Sequence, residues 1–183
     1  MSSYRLRPAT LADADALVHH RLGMFTDMGT AFDAPEVDRA FRQWLAEMMP
    51  AGVYRAWLVE SDADGPPEGG PHVPEGGPHV PEAGPHVPAE PVPIVAGGGI
   101  TVLPWPPGPQ FVGGRIAFVY NVYTEHAHRR RGLARLLMAT IHSWCRANGL
   151  RKVFLNASDD GRPLYEALGY KAAAAPMMFI GLD

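Results

Sequence analysis

A short arginine-rich segment, residues 121–135, has the residue types and the spacing needed to bind a phosphate group. It reads NVYTEHAHRRRGLAR and joins a stretch of strand character to a helical one. The first amides of a helix lack intrahelical partners and carry the positive end of the helix dipole. Gly132 removes a side chain where an anion would approach the backbone. The surrounding positive charge comes from Arg129, Arg130, Arg131 and Arg135. The segment therefore predicts a pyrophosphate site at the start of a helix.

The segment has four other possible interpretations. No Gly-Lys-Ser/Thr triplet follows the glycine, which excludes a Walker loop, and the three-glycine spacing of a dinucleotide fingerprint is absent. A solvated basic corner remains open on the residues alone. A nucleic-acid contact through Arg129–Arg131 is disfavoured, because the formal net charge is -3 and no aromatic residues interleave the arginines.

The elements that would position this segment follow from hydrophobic periodicity. Strands are predicted at 4–7, 53–60, 94–103, 115–124, 153–157 and 177–182. Helices are predicted at 11–28, from Pro35 to a stop at Pro50, at 131–147 and at 163–168. The order β-α-α-β-β-β-α-β-α-β gives an α/β (α+β) fold with a mixed central sheet flanked by helices. Ligands in such sheets bind at the carboxyl ends of the strands, where residues 121–135 lie.

The longest of these helices, 131–147, has a predicted apolar face. That face comprises Leu133, Leu136, Leu137, Ile141, Trp144 and Cys145. Asn148-Gly149 supplies the chemistry that ends a helix. Cys145 lies on the apolar face, which makes it a core residue rather than a nucleophile.

The chain of 183 residues is expected to form one domain, 1–183, with one unusual insertion. Residues 61–93 contain ten prolines and six glycines and repeat the heptapeptide GGPHVPE. Such a composition cannot sustain the interior of a helix or a sheet, so we expect an extended insertion at the tip of a β-hairpin. The repeated histidines His72, His79 and His86 lack a carboxylate or cysteine that would complete a ligand set, and no metal is predicted.

Composition also bounds the environment of the protein. A single cysteine excludes an intramolecular disulfide framework, and no apolar stretch suggests a secretory signal or a membrane span. A cytoplasmic protein without membrane or nucleic-acid partners is expected. The sequence leaves the oligomeric state open, a homodimer included.

The arginine-rich segment resembles the coenzyme A motif of the GNAT-type N-acetyltransferases. The similarity lies in Arg129-x-x-Gly132-x-Ala134 after a strand that ends Val122-Tyr123-Thr124. It continues through Leu155-Asn156-Ala157-Ser158 and through Leu164-Tyr165-Glu166-Ala167-Leu168-Gly169-Tyr170, similar to the family's Leu-Tyr-x-x-Leu-Gly-Phe signature. The element order resembles that fold as well, from Tyr4 to the C-terminus apart from the insertion.

The resemblance implies an acetyl-CoA-dependent N-acetyltransferase and a set of roles. Val122, Tyr123 and Thr124 would pair with the pantetheine arm as if it were an added strand. The pyrophosphate would be wrapped by the backbone of Arg130, Arg131, Gly132, Leu133, Ala134 and Arg135, next to Arg129. Ser158 stands where many relatives have a cofactor-contacting asparagine. His126 stands where proline is common, and Tyr165 would protonate the departing thiolate.

Acetyl transfer also needs an unprotonated amine, and here the residues leave alternatives open. Glu125, Asp27, His19 and His20 are candidates for a base, although each is also interpreted as a surface or capping residue. A chain of water molecules is the other route for the proton. The sequence does not identify the amine acceptor, whether a small molecule or a protein.

A different class of function is also open. The chain could be a GNAT-like interaction protein of low activity that uses its proline-rich insertion as a ligand for a partner. Retention of coenzyme A together with thioester turnover would separate an enzyme from such a module.

Overall fold

The computed structural model describes residues 4–61, 92–109, 111–173 and 180. Its strands are β1 (Tyr4–Pro8), β2 (Tyr54–Ser61), β3 (Ile94–Pro104), β4 (Arg115–Thr124) and β5 (Val153–Leu155). Its α-helices are α1 (Ala14–Asp27), α2 (Ala34–Met48), α3 (Leu133–Ala147) and α4 (Arg162–Ala167), with short 3₁₀ turns at Leu11–Asp13 and His126–His128. The predicted order is confirmed through α4. Of the predicted last strand, 177–182, only residue 180 lies among the described residues.

The five strands form one mixed sheet in the order β1-β2-β3-β4-β5. Neighbouring strands are antiparallel except for β4 and β5, which run parallel and are joined through α3. Parallel neighbours require such a crossover connection. The carboxyl ends of β4 and β5 therefore lie at the same edge of the sheet.

Helices cover both faces of this sheet. Alternate residues of β2 divide between two apolar clusters, since successive side chains of a strand point to opposite faces. Leu58 packs with Leu17 and Phe41 of the α1–α2 layer, whereas Val59 packs with Leu137 of α3. We call these the α1–α2 face and the α3 face.

The apolar stripe of α3 differs from the predicted one at a single turn. Leu136 is 41% exposed, whereas Met138 is fully buried against the sheet. The prediction was wrong there, because the axial rotation of a helix is fixed by the surface it packs on and not by its own period. None of the described helices is long and apolar enough to cross a bilayer.

A buried ion cluster joins the first strand to the start of α1. Arg7 donates hydrogen bonds to both Asp13 and Glu60, and the side chains of these acids are only 11% and 8% exposed. Hydrogen bonding from Arg7 lowers the pKa of Asp13 from 3.8 to about 2. Asp13 also accepts a hydrogen bond from the backbone amide of Thr10, as a residue of a capping box does.

The Asp13 contribution to stability should therefore depend on pH. A carboxyl group with a lowered pKa in the folded state stabilises above its unfolded pKa and loses that effect as the pH falls through its folded pKa. We expect Asp13→Asn to lower the free energy of unfolding by about 2 kcal/mol at pH 7, and by about half as much at pH 3. Denaturant unfolding at both pH values measures this difference. Asp15→Asn, at an exposed side chain of α1, is the matched control and should show little change; an equal deficit for Asp13→Asn at both pH values would contradict the prediction.

The hairpin of β2 and β3 is closed at the base of the insertion. Glu60 pairs with Ile94, and the Ser61 amide donates to the Pro93 carbonyl at 3.0 Å.

Deleting residues 64–91 would leave three residues between Ser61 and Pro93. Shortening the loop from 31 residues to three lowers the entropic cost of closing it by about 2 kcal/mol, so the change in loop length does not oppose folding. We expect the deletion variant to fold and to keep its activity, with a melting temperature within about 8 °C of the parent; a larger fall would mean that the deleted segment packs on the domain.

Candidate active site

The carboxyl-terminal half of β4 is distorted by a bulge. The register with β3 shifts between Gly97 and Gly99, so Asn121 and Val122 together lie opposite Gly98. Asn121 adopts the left-handed conformation, with a φ of 56°. Asparagine tolerates this conformation better than other residues with a side chain. The bulge turns β4 at the point where its predicted ligand-binding residues begin.

Beyond the bulge, one edge of β4 pairs with no strand that the structure describes. The last pair between β4 and β5 is Val119 with Leu155, and β4 continues to Thr124. On its other edge, β4 still pairs with β3 as far as Ala96 and Thr124. Among the described residues, the free edge of residues 120–124 therefore offers backbone donors and acceptors to an extended ligand. Val122, Tyr123 and Thr124 lie on this edge, where the sequence predicted a pantetheine arm.

The chain then forms a tight loop with a row of free amides. None of the amides of residues 130–135 donates to a backbone carbonyl among the described residues. The first helical bond of α3 runs from the Leu136 amide to the Gly132 carbonyl at 3.0 Å. Arg130 and Gly132 both have positive φ, 59° and 81°. Such a succession of amides forms a concave anion-binding surface; we call residues 130–135 the amide cradle.

The four arginines of this loop have different partners. Arg129 donates from Nε to the Thr124 carbonyl at 2.9 Å and pairs with Asp27 at the end of α1. Arg131 donates to the Tyr4 hydroxyl at 3.0 Å. Arg130 and Arg135 are exposed and make no hydrogen bond or ion pair with a described residue. The first two side chains hold the loop against the sheet and α1, and the other two remain available to an anion.

Contacts at the end of β4 constrain the candidate bases. Asp27 accepts hydrogen bonds from Arg129 and His126, and the Arg129 contact lowers the pKa of Asp27 below its usual range. His19 Nε2 and Glu125 Oε1 are 2.8 Å apart. These contacts make Asp27 a poor proton acceptor, and they tie Glu125 to α1.

His20 contradicts the expectation of a surface or capping residue, because its side chain is only 2% exposed. Burial lowers its pKa to about 4, although Glu125 acts in the opposite direction. Its Nε2 lies 3.7 Å from Glu125 Oε1, beyond hydrogen-bonding distance. A histidine with such a low pKa is neutral at physiological pH and a weak base.

Ser158 and Tyr165 meet near the carboxyl end of β5. A Cβ atom on Gly161 would lie 3.1 Å from both the Ser158 hydroxyl and the Tyr165 ring. Ser158 accepts a hydrogen bond from the Gly161 amide at 3.2 Å, so its hydroxyl also shapes the turn into α4. Burial raises the pKa of Tyr165. The Tyr165 hydroxyl makes no hydrogen bond with a described residue, and its ring lines a cleft beside β5.

That cleft is separate from the amide cradle. Its lining includes Phe118 of β4, Phe154 of β5 and His142 of α3, but no residue of 129–135. The amide cradle is open to solvent instead. The structure thus groups the predicted residues into two sets, one at the end of β4 with the start of α3 and one at the end of β5.

Two residues of this region were missed by the sequence analysis. Arg21 of α1 donates from Nη1 to Asn121 Oδ1 at 2.7 Å, and Asn121 in turn donates to the Tyr54 hydroxyl at 3.3 Å. A sequence signal existed, since Arg21 stands four residues from both Leu17 and Phe25 on the inward side of α1. A charged residue at an inward-facing helical position indicates either that its side chain extends to solvent or that it belongs to a buried polar site.

Among the described residues, this region offers neither a metal-binding cluster nor an activated thiol. The described part of the chain contains no group of three or more His, Cys, Asp or Glu side chains that could hold a metal ion. Cys145 is buried in the α3 cluster, and burial raises the pKa of its thiol to about 11. A thiol of that pKa stays protonated at neutral pH and is a poor nucleophile.

Known proteins are similar to this chain in sequence and in fold. A model of the acetyltransferase (GNAT) family matches residues 39–170. No curated protein sequence matches the chain. A GCN5-related N-acetyltransferase from Ralstonia eutropha has a similar structure, with a TM-score of 0.74, 24% identity and coverage of 97% of this chain and 99% of that one.

Two further solved structures are similar. A predicted acetyltransferase from Clostridium acetobutylicum, solved with acetyl-CoA, has a TM-score of 0.72, 20% identity and coverage of 97% and 96% of the two chains. A ribosomal-protein-alanine N-acetyltransferase from Brucella melitensis has a TM-score of 0.63, 20% identity and coverage of 98% and 99%. At these identities, the likeness shows a shared fold.

Gly132 provides a test of the amide cradle. Gly132→Val places a side chain where an anion would meet the backbone, so we expect the affinity for acetyl-CoA to fall at least ~10-fold in calorimetry. A Cβ atom at this position meets no atom within 4 Å, so its own neighbours do not oppose the change. The positive φ of 81° does strain a valine, at a cost of about 1–3 kcal/mol.

Gly149 is a matched control for that strain. It lies at the other end of α3 with a φ of 72° and also has no atom within 4 Å of a built Cβ. Gly149→Val should lower the melting temperature to a similar extent and leave acetyl-CoA affinity unchanged. Equal affinities for the two variants would contradict an anion site at the cradle.

Proposed function

The chain belongs to the acetyltransferase (GNAT) family, and from that membership we propose that it transfers an acetyl group directly from acetyl-CoA to an amine. That it is an acetyltransferase follows from the family, whose fold uses acetyl-CoA. Three further points belong to the proposal: the direct transfer, the amine as acceptor and the residues that act. They are supported by the geometry of β4, α3 and α4.

The observation that carries the proposal is the row of free amides at residues 130–135, next to the free edge of β4. Buried or ligand-facing amides rarely remain without an acceptor. Here the amides, the start of α3 and the side chains of Arg130 and Arg135 present positive charge together. A pyrophosphate bound in the cradle would leave the pantetheine arm free to pair with Val122–Thr124.

We assign the chemical step to groups at the ends of β4 and β5. The amine nitrogen attacks the thioester carbon, and the oxygen that becomes negative accepts a hydrogen bond from a backbone amide of Val122–Thr124. As the C–S bond breaks, the sulfur takes the proton of the Tyr165 hydroxyl. The raised pKa of Tyr165 keeps this donor protonated throughout the neutral pH range.

The proton lost by the amine needs a different acceptor. Asp27 is held in an ion pair with Arg129, and the low pKa of His20 makes it a weak base. Cys145 is buried, and burial raises the pKa of its thiol to about 11, so the thiol stays protonated. Water, Glu125 and His19, whose Nε2 lies 2.8 Å from Glu125 Oε1, are therefore the acceptors we propose for this proton.

Four expectations from the sequence stay predictions. They are the single domain over 1–183, the cytoplasmic location, the absence of nucleic-acid and membrane partners, and the possibility of a homodimer. The interaction role of the proline-rich insertion, residues 61–93, belongs with them. Most of that segment lies outside the described residues.

Thioester turnover with a panel of amines tests the proposed activity. The purified protein is mixed with acetyl-CoA and single amines, and free thiol and acetylated product are measured together. Equal amounts of thiol and N-acetyl product are expected for at least one amine. Coenzyme A retention without thiol release from any amine would instead favour the interaction protein.

Tyr165→Phe tests the proposed proton donor. The substitution removes one hydroxyl and keeps the ring, so packing and acetyl-CoA affinity should change little. Loss of a positioned proton donor lowers the rate by ~10²–10⁴-fold, and the loss should appear in kcat. Steady-state kinetics and calorimetry on the same preparation measure both quantities.

Tyr170→Phe is the matched control, because its ring lies 5.8 Å from that of Tyr165. The Tyr170 hydroxyl is already within 2.8 Å of His142 Nε2, so its loss should affect stability rather than kcat. If Tyr165→Phe kept more than about a third of the wild-type kcat, the thiolate would leave without its help.

A further inference from the structure

Arg21 is a half-buried arginine without an acidic partner in the described part of the chain. Arg21 donates a hydrogen bond from Nη1 to the neutral side-chain oxygen of Asn121, at 2.7 Å. None of the described carboxylates forms an ion pair with it, whereas Arg5, Arg7, Arg42 and Arg129 all pair with one. A guanidinium removed from water without a counter-charge is destabilising, because it loses hydration and gains nothing equivalent.

Aromatic rings fix the position of this guanidinium. Its central carbon lies 4.9 Å from the centre of the Phe25 ring and 4.6 Å from that of Phe41. Contacts of this kind stabilise a cation modestly and orient its plane. With Nη1 held by Asn121, the opposite edge of the group, formed by Nε and Nη2, makes no hydrogen bond with a described residue. That edge has the spacing of a carboxylate and binds one through two parallel hydrogen bonds.

The location of Arg21 relates it to the reacting end of the proposed coenzyme site. It contacts the bulge of β4 through Asn121, one residue before Val122–Thr124. It lies on the α1–α2 face of the sheet, whereas α3 and its cluster cover the opposite face. If the coenzyme's phosphates occupy the cradle at the start of α3, the α1–α2 face beside the bulge is left for the acceptor.

An apolar surface continues from this position. Tyr120 stacks on Phe118 with ring centres 4.7 Å apart, and Tyr120 is 37% exposed. Tyr120 lies opposite Gly99 in the sheet, and a Cβ atom on Gly99 would point at the Tyr54 hydroxyl. Directly opposite residues share a face, so Tyr120 lies on the same face as Tyr54, which Asn121 and Arg21 also occupy. The surface thus combines one fixed cation with exposed aromatic area, as a site for a small organic acid does.

We propose that Arg21 is a specificity-determining residue that binds the carboxylate of the amine acceptor. The acceptor is then an amine that also carries a carboxylate, as an amino acid does. The inference rests on the proposed acetyl transfer and extends it from any amine to this class. The bound carboxylate would supply the counter-charge that Arg21 lacks, and it would orient the amine towards the bulge of β4.

Matched acceptors test the inference. Free L-amino acids are compared with their carboxamides, and O-phosphoethanolamine with ethanolamine, in acetyl-CoA-dependent thiol release. Each kcat/KM is divided by the fraction of unprotonated amine, because an amide lowers the pKa of its amine. We expect the wild-type protein to prefer at least one amino acid to its amide by roughly 10–100-fold, the value of a charge-assisted pair. If O-phosphoethanolamine were preferred to ethanolamine while no amino acid were preferred to its carboxamide, Arg21 would not be a carboxylate-binding residue.

Substitutions identify the residue responsible. Arg21→Gln should reduce the ratio of the two kcat/KM values, acid over amide, by roughly 10–100-fold. Arg21→Lys keeps the charge but not the fork and should give an intermediate ratio. Arg42→Gln is the control, because it removes an arginine of α2 that already pairs with Asp15 and Asp38. Its ratio should equal that of the wild type.

A binding measurement separates this inference from the proposed function. Thermal melts first confirm that each variant is folded. Calorimetry then measures binding of the preferred amino acid to the protein loaded with coenzyme A. If no amino acid is acetylated, the whole set is measured. Binding that is lost in Arg21→Gln supports the inference even where turnover fails. Acetylation of amines with no preference for acids, or an unchanged ratio in folded Arg21→Gln, would overturn it while leaving the acetyltransferase intact. If no amino acid binds or is acetylated, the inference is wrong.

Discussion

The separation of β4 from β5 after Val119 and Leu155 is the constraint on which the site depends. A strand in the middle of a sheet normally satisfies its backbone groups on both edges. Here β4 continues to Thr124 with one edge unpaired among the described residues, and the bulge at Asn121 turns its residues at the same point. The unpaired edge offers hydrogen bonds that a ligand of extended shape can complete. The cradle at the start of α3 and the Ser158–Tyr165 pair at the end of β5 both follow from where these two strands end.

Arginine acts in several distinct ways in this small structure, and its partners decide which. Arg7 lies between Asp13 and Glu60 and joins β1, β2 and the start of α1. Arg129 and Arg131 are tied to Asp27 and Tyr4, so they fix the loop that carries the free amides. Arg130 and Arg135 have no such contact with a described residue. A single residue type therefore builds the scaffold, shapes the loop and leaves charge available for a ligand.

The two faces of the sheet divide the proposed reaction. In that proposal the start of α3 would supply amides for phosphate oxygens, and the apolar residues of α3 pack on one face. On the other face, α1 brings Arg21 to the bulge of β4, where Asn121 and Tyr54 hold it. The bulge would then expose backbone to the coenzyme and hold the Arg21 side chain towards the acceptor. Asn121, which is buried and has a positive φ, is the residue of the bulge that contacts Arg21.

The sequence by itself determined the order of elements as far as α4, because hydrophobic period, capping residues and glycine at helix ends are local signals. It also predicted a phosphate site at the arginine-glycine segment, since such a site at a helix start needs only a few consecutive residues. Tertiary structure decided which side chains remain free to act. Leu136 is exposed and His20 buried because packing fixed the rotation of their helices. Arg21 lies 100 residues from Asn121 in the chain, and only the packing of α1 against β4 brings them into contact. No local pattern encodes such a pair, since its energy arises from burial and from partners that the fold alone selects.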